Sequence, residues 1–490
     1  MKHHSAHPTR EVFAGTLRVF LADMMILPTG LLTTAYLTRR LGTEGYGLFI
    51  LAATIVAWVE WSVVALFSRT TIKFVSEAHD WRPVGAAVVW LHLLTGAAAM
   101  LLLALLAGPL AALLHEPHLA GYLRLFSLDI PLFSLAQAHR NILVGIGGFR
   151  ERALASAGRW VTRLFAIVIL VQLGFSIAGA IVGSIAASFV ELVIGRIYVR
   201  PSMWRPAAFS VRPLWGYAVP LLFAAVLLRT FDKLDLVTLK ALGASAEQAG
   251  NYGAAQSLSL IPGILAFSFS PLLLSTLTRL LLTGELDAAR NLGRDAVRVV
   301  LGIFPFAALV AGAAPEIVRL IFGQRFLSAA APLALLIFGA VALMMISVAS
   351  AILIGAGKPG WSVALAALLV PLTFTGCLYL IPAFGLRGAA LATTLSAAVG
   401  AIASMLVVKR LGGLLPSAPS LLRSFLLSTL VYTMAAWWHT PGILLLLKLP
   451  TICLLICLGY FVSGEFNTAE KCIIRSLLSL PPTADAGSGN

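Results

Sequence analysis

At 490 residues, with 59% hydrophobic and only 11% charged side chains, the chain departs from a soluble domain, where about a quarter of residues are charged. This composition excludes a soluble catalytic domain. The 35 basic residues against 20 acidic ones sit at the edges of apolar stretches and form no single exposed surface, which excludes nucleic-acid binding.

Stretches of ~20 apolar residues, enough to cross a ~30 Å hydrocarbon slab, follow one another through the chain. The predicted spans are 13–38, 45–68, 84–107, 119–146, 150–173, 175–199, 213–241, 247–270, 294–314, 326–353, 358–381, 385–408, 420–439 and 441–463. The expected fold is therefore an all-α membrane protein of about fourteen transmembrane helices. The first stretch is too long for a signal-peptide core and lacks a small-residue cleavage site, so it is expected to be retained. Cys377, Cys453, Cys457 and Cys472 show neither a CxxC nor a metal spacing; Cys453 and Cys457 read as a packing pair.

Charge sets the expected orientation. Most lysines and arginines fall in one alternating set of loops; Arg39, Arg40, Arg124, Lys240, Arg319, Arg325, Arg387 and Lys448 fall in the other. Positive loops favour the cytoplasm, so both termini are expected inside an inner (cytoplasmic) membrane.

The chain also repeats itself. Leu41-Gly42-Thr43-Glu44-Gly45-Tyr46-Gly47 lies just past the end of the first span, and Leu242-Gly243 followed by Gly250-Asn251-Tyr252-Gly253 lies just past the end of the seventh. Ala178-Gly179-Ala180 and Arg387-Gly388-Ala389 open the sixth and twelfth. Six helices then six more in one orientation make a parallel repeat, as in transporters whose halves rock around a central cavity. The expected organisation is a six-helix lobe at 1–199, a cytoplasmic linker at 200–213, a second six-helix lobe at 214–410, two additional helices at 411–463 and a cytoplasmic tail at 464–490. Pro28, Gly30, Pro131, Pro220, Pro262, Gly263 and Pro371 are expected to interrupt their spans.

The segment from Arg39 to Gly47 resembles the opening signature of bacterial polysaccharide exporters, the O-antigen type flippases of the multidrug/oligosaccharidyl-lipid/polysaccharide exporter superfamily. Gly323-Gln324-Arg325-Phe326, Gly355-Ala356-Gly357-Lys358-Pro359 and the run from Ile381 to Ala390 are similar to that family's second-half pattern. The resemblance implies a V-shaped pair of six-helix lobes that moves an undecaprenyl-diphosphate-linked glycan across the inner membrane.

Charges inside the spans mark candidate sites, because a charge at mid-membrane persists where it lines a wet cavity or pairs. Arg152, Arg159 and Arg163 share one helical face of the fifth span, with Ser156 between them. Arg163 lies ~20 Å from the start of that helix. A guanidinium fork matches phosphate oxygens, so these three are candidates for a diphosphate headgroup, with Arg18 and Arg140 as first contacts near the cytoplasmic leaflet. Pairing with a buried acid, Asp129 or Glu191, is the alternative. Arg229, Asp232, Lys233 and Asp235 in the seventh span are expected to form a gate or a lobe-to-lobe ion pair. Asp23, Glu60 and Asp129 are either ion-coupling carboxylates or ordinary hydrogen bonders lining the cavity. Gly179 and Gly183 read as close helix packing.

No metal-binding, nucleotide-binding or hydrolase motif is present, so no cofactor, metal or enzymatic activity is expected. The expected partners are a lipid-linked glycan substrate, membrane lipids and polysaccharide assembly machinery. The reading is a flippase working by alternating access. Its rivals are a multidrug or organic-cation antiporter of the same superfamily, a lipid II flippase and, from another class, a membrane-embedded glycan polymerase or ligase.

Overall fold

The computed structural model describes residues 24–202, 230–231, 233–412, 418–440 and 442–465; Arg18, Asp23, Arg229 and Asp232 lie outside them. Among the described residues there is helix and no strand. Apolar sequence dictates this, since in hydrocarbon every backbone N–H and C=O must find its partner within the segment.

The expected first and second spans form one element, α1 (Ile26–Glu77), bent at Gly42 (φ 70°, ψ −174°). A straight helix of 52 residues would run ~78 Å, more than twice the slab. Instead the chain turns back: Tyr36 in the first arm bonds to Val168 O (3.1 Å), and Ser68 in the second accepts from Asn141 near the opposite end of the bundle (3.1 Å). Only a residue free of a Cβ adopts that φ at no cost. Gly243, its repeat counterpart, does the same at φ 94°.

Next come α2 (Trp81–Leu113), α3 (Leu119–Ser127), α4 (Asp129–Gly145), α5 (Phe149–Leu170) and α6 (Ser176–Tyr198). The break before α4 lies within one turn of Pro131, which offers no N–H to the carbonyl four residues earlier. A short π-helical turn, Val171–Phe175, joins α5 to α6. The two form a tight antiparallel hairpin with Gly183 against the Ile167 backbone and Gly179 against Leu170, as the small-residue pattern predicts.

The second half runs through α7 (residues 233–241), α8 (Ala246–Ser259), α9 (Ile261–Leu282), α10 (Leu286–Gly302), α11 (Phe304–Gly312), α12 (Ala314–Ile321), a 3-10 turn (Gln324–Ala329), α13 (Ala330–Gly355), α14 (Pro359–Phe384) and α15 (Leu386–Gly412). The break between α8 and α9 falls at Leu260, beside Pro262. Pro28 stands likewise in the first turn after a break, at Met25, whereas Pro371 interrupts nothing: α14 carries it inside. The α14–α15 pair repeats the α5–α6 hairpin, with Gly388 against Leu380 O and Gly376 against Ala392.

Two last helices, α16 (Ala418–Trp437) and α17 (Leu445–Val462), attach to the second half. Gly312 of α11 lies against Ala435 and the Tyr432 carbonyl. Lys448 of α17 is wholly buried against Glu316 of α12, and it also donates to Ala435 O at 2.8 Å.

The cores show how the halves meet. One apolar cluster joins them, with Tyr46, Leu51, Phe126 and Ile167 from the first half and Tyr252, Phe322, Phe326 and Ile381 from the second. These residues gather at the end expected to face outward. Toward the other end each half has a core of its own: Phe67, Val88 and Ile142 in the first, Val300, Val341 and Val348 in the second.

Candidate functional site

The face of α5 that carries the arginines points into the first half. Leu154, Val161, Phe165 and Ile169 are exposed on the opposite face, where lipid would lie, whereas Ser156 and Ile167 are buried in line with Arg152, Arg159 and Arg163. The α5–α6 hairpin register puts Arg159 across from Glu191, Nη1 to Oε2 at 3.2 Å. Its guanidinium also lies 4.3 Å from the Phe133 ring centroid, the geometry of a cation over an aromatic face. Trp61 meets the same Phe133 ring edge-on at 5.7 Å. Arg163 stands 5.9 Å from the Trp160 ring.

Arg140 of α4 completes a three-helix cluster. It reaches Glu191 Oε1 at 3.5 Å and Ser156 Oγ at 3.5 Å, and it donates to Gln137. Pairing with Glu191 is thus realised for two of the candidate arginines. Both keep some contact with open space, their side chains being 14% (Arg159) and 18% (Arg140) exposed while Glu191 is at 0%. The Nε atoms of Arg159 and Arg163 have no hydrogen-bond partner. A buried guanidinium with an unused N–H is a donor awaiting an acceptor. Arg152 lies on the same face, half-buried, near the start of α5.

Glu60 and Asp129 lie against each other between α1 and α4, with Ser188 of α6 beside Asp129. They are 6% and 2% exposed. The charges of Arg159 and Arg163 reach both.

The seventh-span cluster is divided. Asp235 is held wholly within the second half: Tyr252 OH (2.6 Å), Gln256 Nε2 (2.9 Å), Thr393 Oγ1 (2.9 Å) and the Leu236 N–H (2.7 Å) all donate to it. Lys233, half-buried, lies near it. The described ion pair between the halves is one that sequence reasoning missed, Lys240 Nζ to Glu116 Oε1 at 2.8 Å. Arg39 adds a second tie, donating from Nε to Ile321 O (3.1 Å) and from Nη2 to Leu320 O, the last carbonyls of α12. Lys240 stands at the end of the seventh span, just before Leu242-Gly243, as Arg39 and Arg40 stand just before Leu41-Gly42, so the repeat itself was the available signal.

The motif pair contributes most of the contact between halves. Gly47 meets the Ala246 carbonyl and Gly250 meets the Thr43 carbonyl with no room for a Cβ at either position. Tyr46 OH lies 3.5 Å from Ser257 Oγ, and the Tyr46 ring stands edge-on to Phe326 at 6.0 Å.

A family model described as "Polysaccharide biosynthesis protein" matches residues 12–275, more than half of the chain. The chain belongs to the polysaccharide biosynthesis protein family. Among solved structures, the lipid II flippase MurJ in an inward closed conformation is similar to this family member with a TM-score of 0.70 at 14% identity, covering 95% of this chain and 100% of that one. A multidrug resistance MATE transporter of the MOP superfamily in its inward-facing conformation gives 0.62 at 15% identity, over 85% and 99%. A MOP superfamily transporter from Pyrococcus furiosus, noted for the reverse polarity of its binding pocket, gives 0.60 at 13%, over 82% and 95%. No curated protein sequence matches the chain. At such identities the likeness concerns the fold. The protein is a multi-pass membrane protein with the two-lobed fold of these transporters.

Proposed function

We propose that this protein is a flippase that moves a polyprenyl-diphosphate-linked oligosaccharide or polysaccharide precursor across the cytoplasmic membrane by alternating access. The observation that carries the reading is the inward-turned arginine face of α5, joined by Arg140, which runs from the start of that helix up to the shared core at Ile167 and Tyr46. A diphosphate presents several anionic oxygens, and guanidinium forks bind such groups in a fixed plane. Unused Nε donors on Arg159 and Arg163 suit that ligand. The rings of Trp160 and Trp61 supply flat apolar faces on which sugars stack.

In this reading the described arrangement is the state closed toward the outside. Halves 1–199 and 214–410 rock about the linker 200–213, with both termini in the cytoplasm, and Arg18, Arg140 and Arg152 meet the headgroup first. Asp235 and Lys233, with Arg229 and Asp232, steady the moving seventh span. The prenyl tail stays in lipid throughout, and the finished precursor passes to polysaccharide assembly machinery. An organic cation, the cargo of a multidrug transporter, is disfavoured by a guanidinium-rich site. A diphosphate lipid fits it.

The test is translocation of a fluorescent short-chain polyprenyl-diphosphate oligosaccharide in proteoliposomes. Arg159→Glu and Arg163→Glu are each expected to cut the rate at least ~100-fold while the protein stays in the membrane, since reversal of a close charge costs several kcal/mol. Wild-type rates from both variants would overturn the assignment.

A further inference from the structure

Three guanidinium groups, of Arg140, Arg159 and Arg163, share the interior of the first half with three carboxyl groups, of Glu60, Asp129 and Glu191. Glu191 is engaged by two of the arginines. Glu60 and Asp129 are placed differently. They come from separate helices, meet each other in a buried position, and leave Glu60 Oε1 and Asp129 Oδ1 without a hydrogen bond. Ser188 Oγ, wholly buried, stands beside Asp129 as its neighbouring hydroxyl. Each unmet oxygen points to a missing proton or polar ligand at this spot.

The titratable and charged groups around the pair come from every neighbouring helix. Arg159 and Arg163 face it from α5, with Tyr46 of α1 beside Arg163. Glu191 of α6 and Arg140 of α4 stand beyond Arg159. His92 of α2 and His139 of α4 lie further along, each wholly buried and bonded through Nδ1 to Ser134 Oγ and Leu135 O respectively.

Two carboxyl groups in contact and out of water do not readily hold two negative charges, because the second must form against the first; they share a proton instead. Here the number of protons on the pair fixes the charge of the whole site. With all three acids ionised the guanidinium charges are cancelled. Each proton taken up by the pair leaves one guanidinium charge unmatched and free for an anion.

We propose that Glu60 and Asp129 are a proton-binding pair that sets the affinity of the arginine face for a diphosphate headgroup, so that proton uptake and anion binding occur together. The identity of the anion rests on the flippase reading above. By linkage the effect is reciprocal: protonation strengthens anion binding, and a bound anion strengthens proton binding by the same factor, roughly tenfold for a coupling of ordinary size.

The experiment measures binding of farnesyl diphosphate to the full-length protein in nanodiscs between pH 5.5 and 8.5 at fixed sodium, for wild type, Glu60→Gln and Asp129→Asn. The probe's own titration is common to all three proteins. Wild-type affinity is expected to fall about tenfold more over this range than that of either variant. A farnesyl sulfonate, whose charge is constant at these pH values, gives a readout free of both variants: its binding to wild type is expected to take up protons, seen as a calorimetric heat that changes with the buffer's ionisation enthalpy. Identical pH profiles in wild type and both variants, a buffer-independent sulfonate heat, or dependence on sodium in place of pH would overturn the proton-binding pair and leave the flippase reading standing. Absence of farnesyl diphosphate binding at every pH would overturn both.

Discussion

At the scale of single residues, Glu191 is the acid on which the arginine face depends. It is buried, and Arg140 and Arg159 approach it at 3.5 and 3.2 Å. Removing one member of a buried ion pair leaves the other uncompensated, typically at a cost of ~3–5 kcal/mol. Glu191→Ala is therefore expected to lower the thermal midpoint of the purified protein markedly, and Glu191→Gln less, because an amide still accepts from a guanidinium. Equal midpoints for Glu191→Ala and wild type would show that the arginines hold their places without it. Much of this site was legible in the chain. The spacing of Arg152, Arg159 and Arg163 placed them on one face, and Leu154, Val161, Phe165 and Ile169 fill the other. Glu191 was one of two partners that the sequence allowed. The choice between them was decided by the register of the α5–α6 hairpin, which is set by contact of Gly183 with Ile167. Phe133 was not foreseen at all: an aromatic residue in an apolar run carries no sign that its ring face will meet a cation.

At the scale of elements, the repeated glycine–tyrosine motif turns out to be a contact surface between α1 and α8. Repetition shows that two segments are equivalent; it does not show that they touch. They touch because the axis relating the halves passes between them, and there the backbones come too close for side chains at Gly47 and Gly250. Buried Tyr46 and Tyr252 stand in the shared core on either side. Gly250→Val would drive a branched side chain into the Thr43 carbonyl. Overpacking of this kind costs about 1–3 kcal/mol, and here the strain falls on the seam between the halves, not on either half alone. The expected outcome is a modest loss of thermal stability, together with faster labelling of a cysteine placed at Lys240 by a membrane-impermeant maleimide added from outside. Unchanged labelling would mean that the seam accommodates the side chain without parting. The proline positions teach a related point. Pro131 and Pro262 stand beside helix breaks, whereas α14 runs through Pro371, so the residue type marks where a break is tolerated, and packing decides whether it occurs.

For the whole molecule, the loop charges indicated an orientation but not what the minority charges do. Arg39 and Lys240 read as stray basic residues on the less positive side; in the fold they are the polar ties that hold the halves together at that end. Arg39 binds the carbonyl end of α12, where a cation is favoured by the partial negative charge of the unpaired carbonyls. Lys240, with its side chain 3% exposed, is clasped by Glu116 at 2.8 Å and by Ala244 O at 2.7 Å. If the halves rock as proposed, these ties must break once per cycle, because they join segments on opposite sides of the seam. A cross-link between Glu116→Cys and Lys240→Cys, made with a short disulfide-forming reagent, is expected to stop translocation in proteoliposomes while leaving farnesyl diphosphate binding from the cytoplasmic side intact. Reduction should restore the rate. The separation of the two readouts matters, since a static binding protein would lose neither activity on cross-linking and a misfolded one would lose both. Translocation that continues at the uncross-linked rate with the bridge in place would mean that the substrate crosses without the outer ends parting, and alternating access would have to be abandoned for this chain.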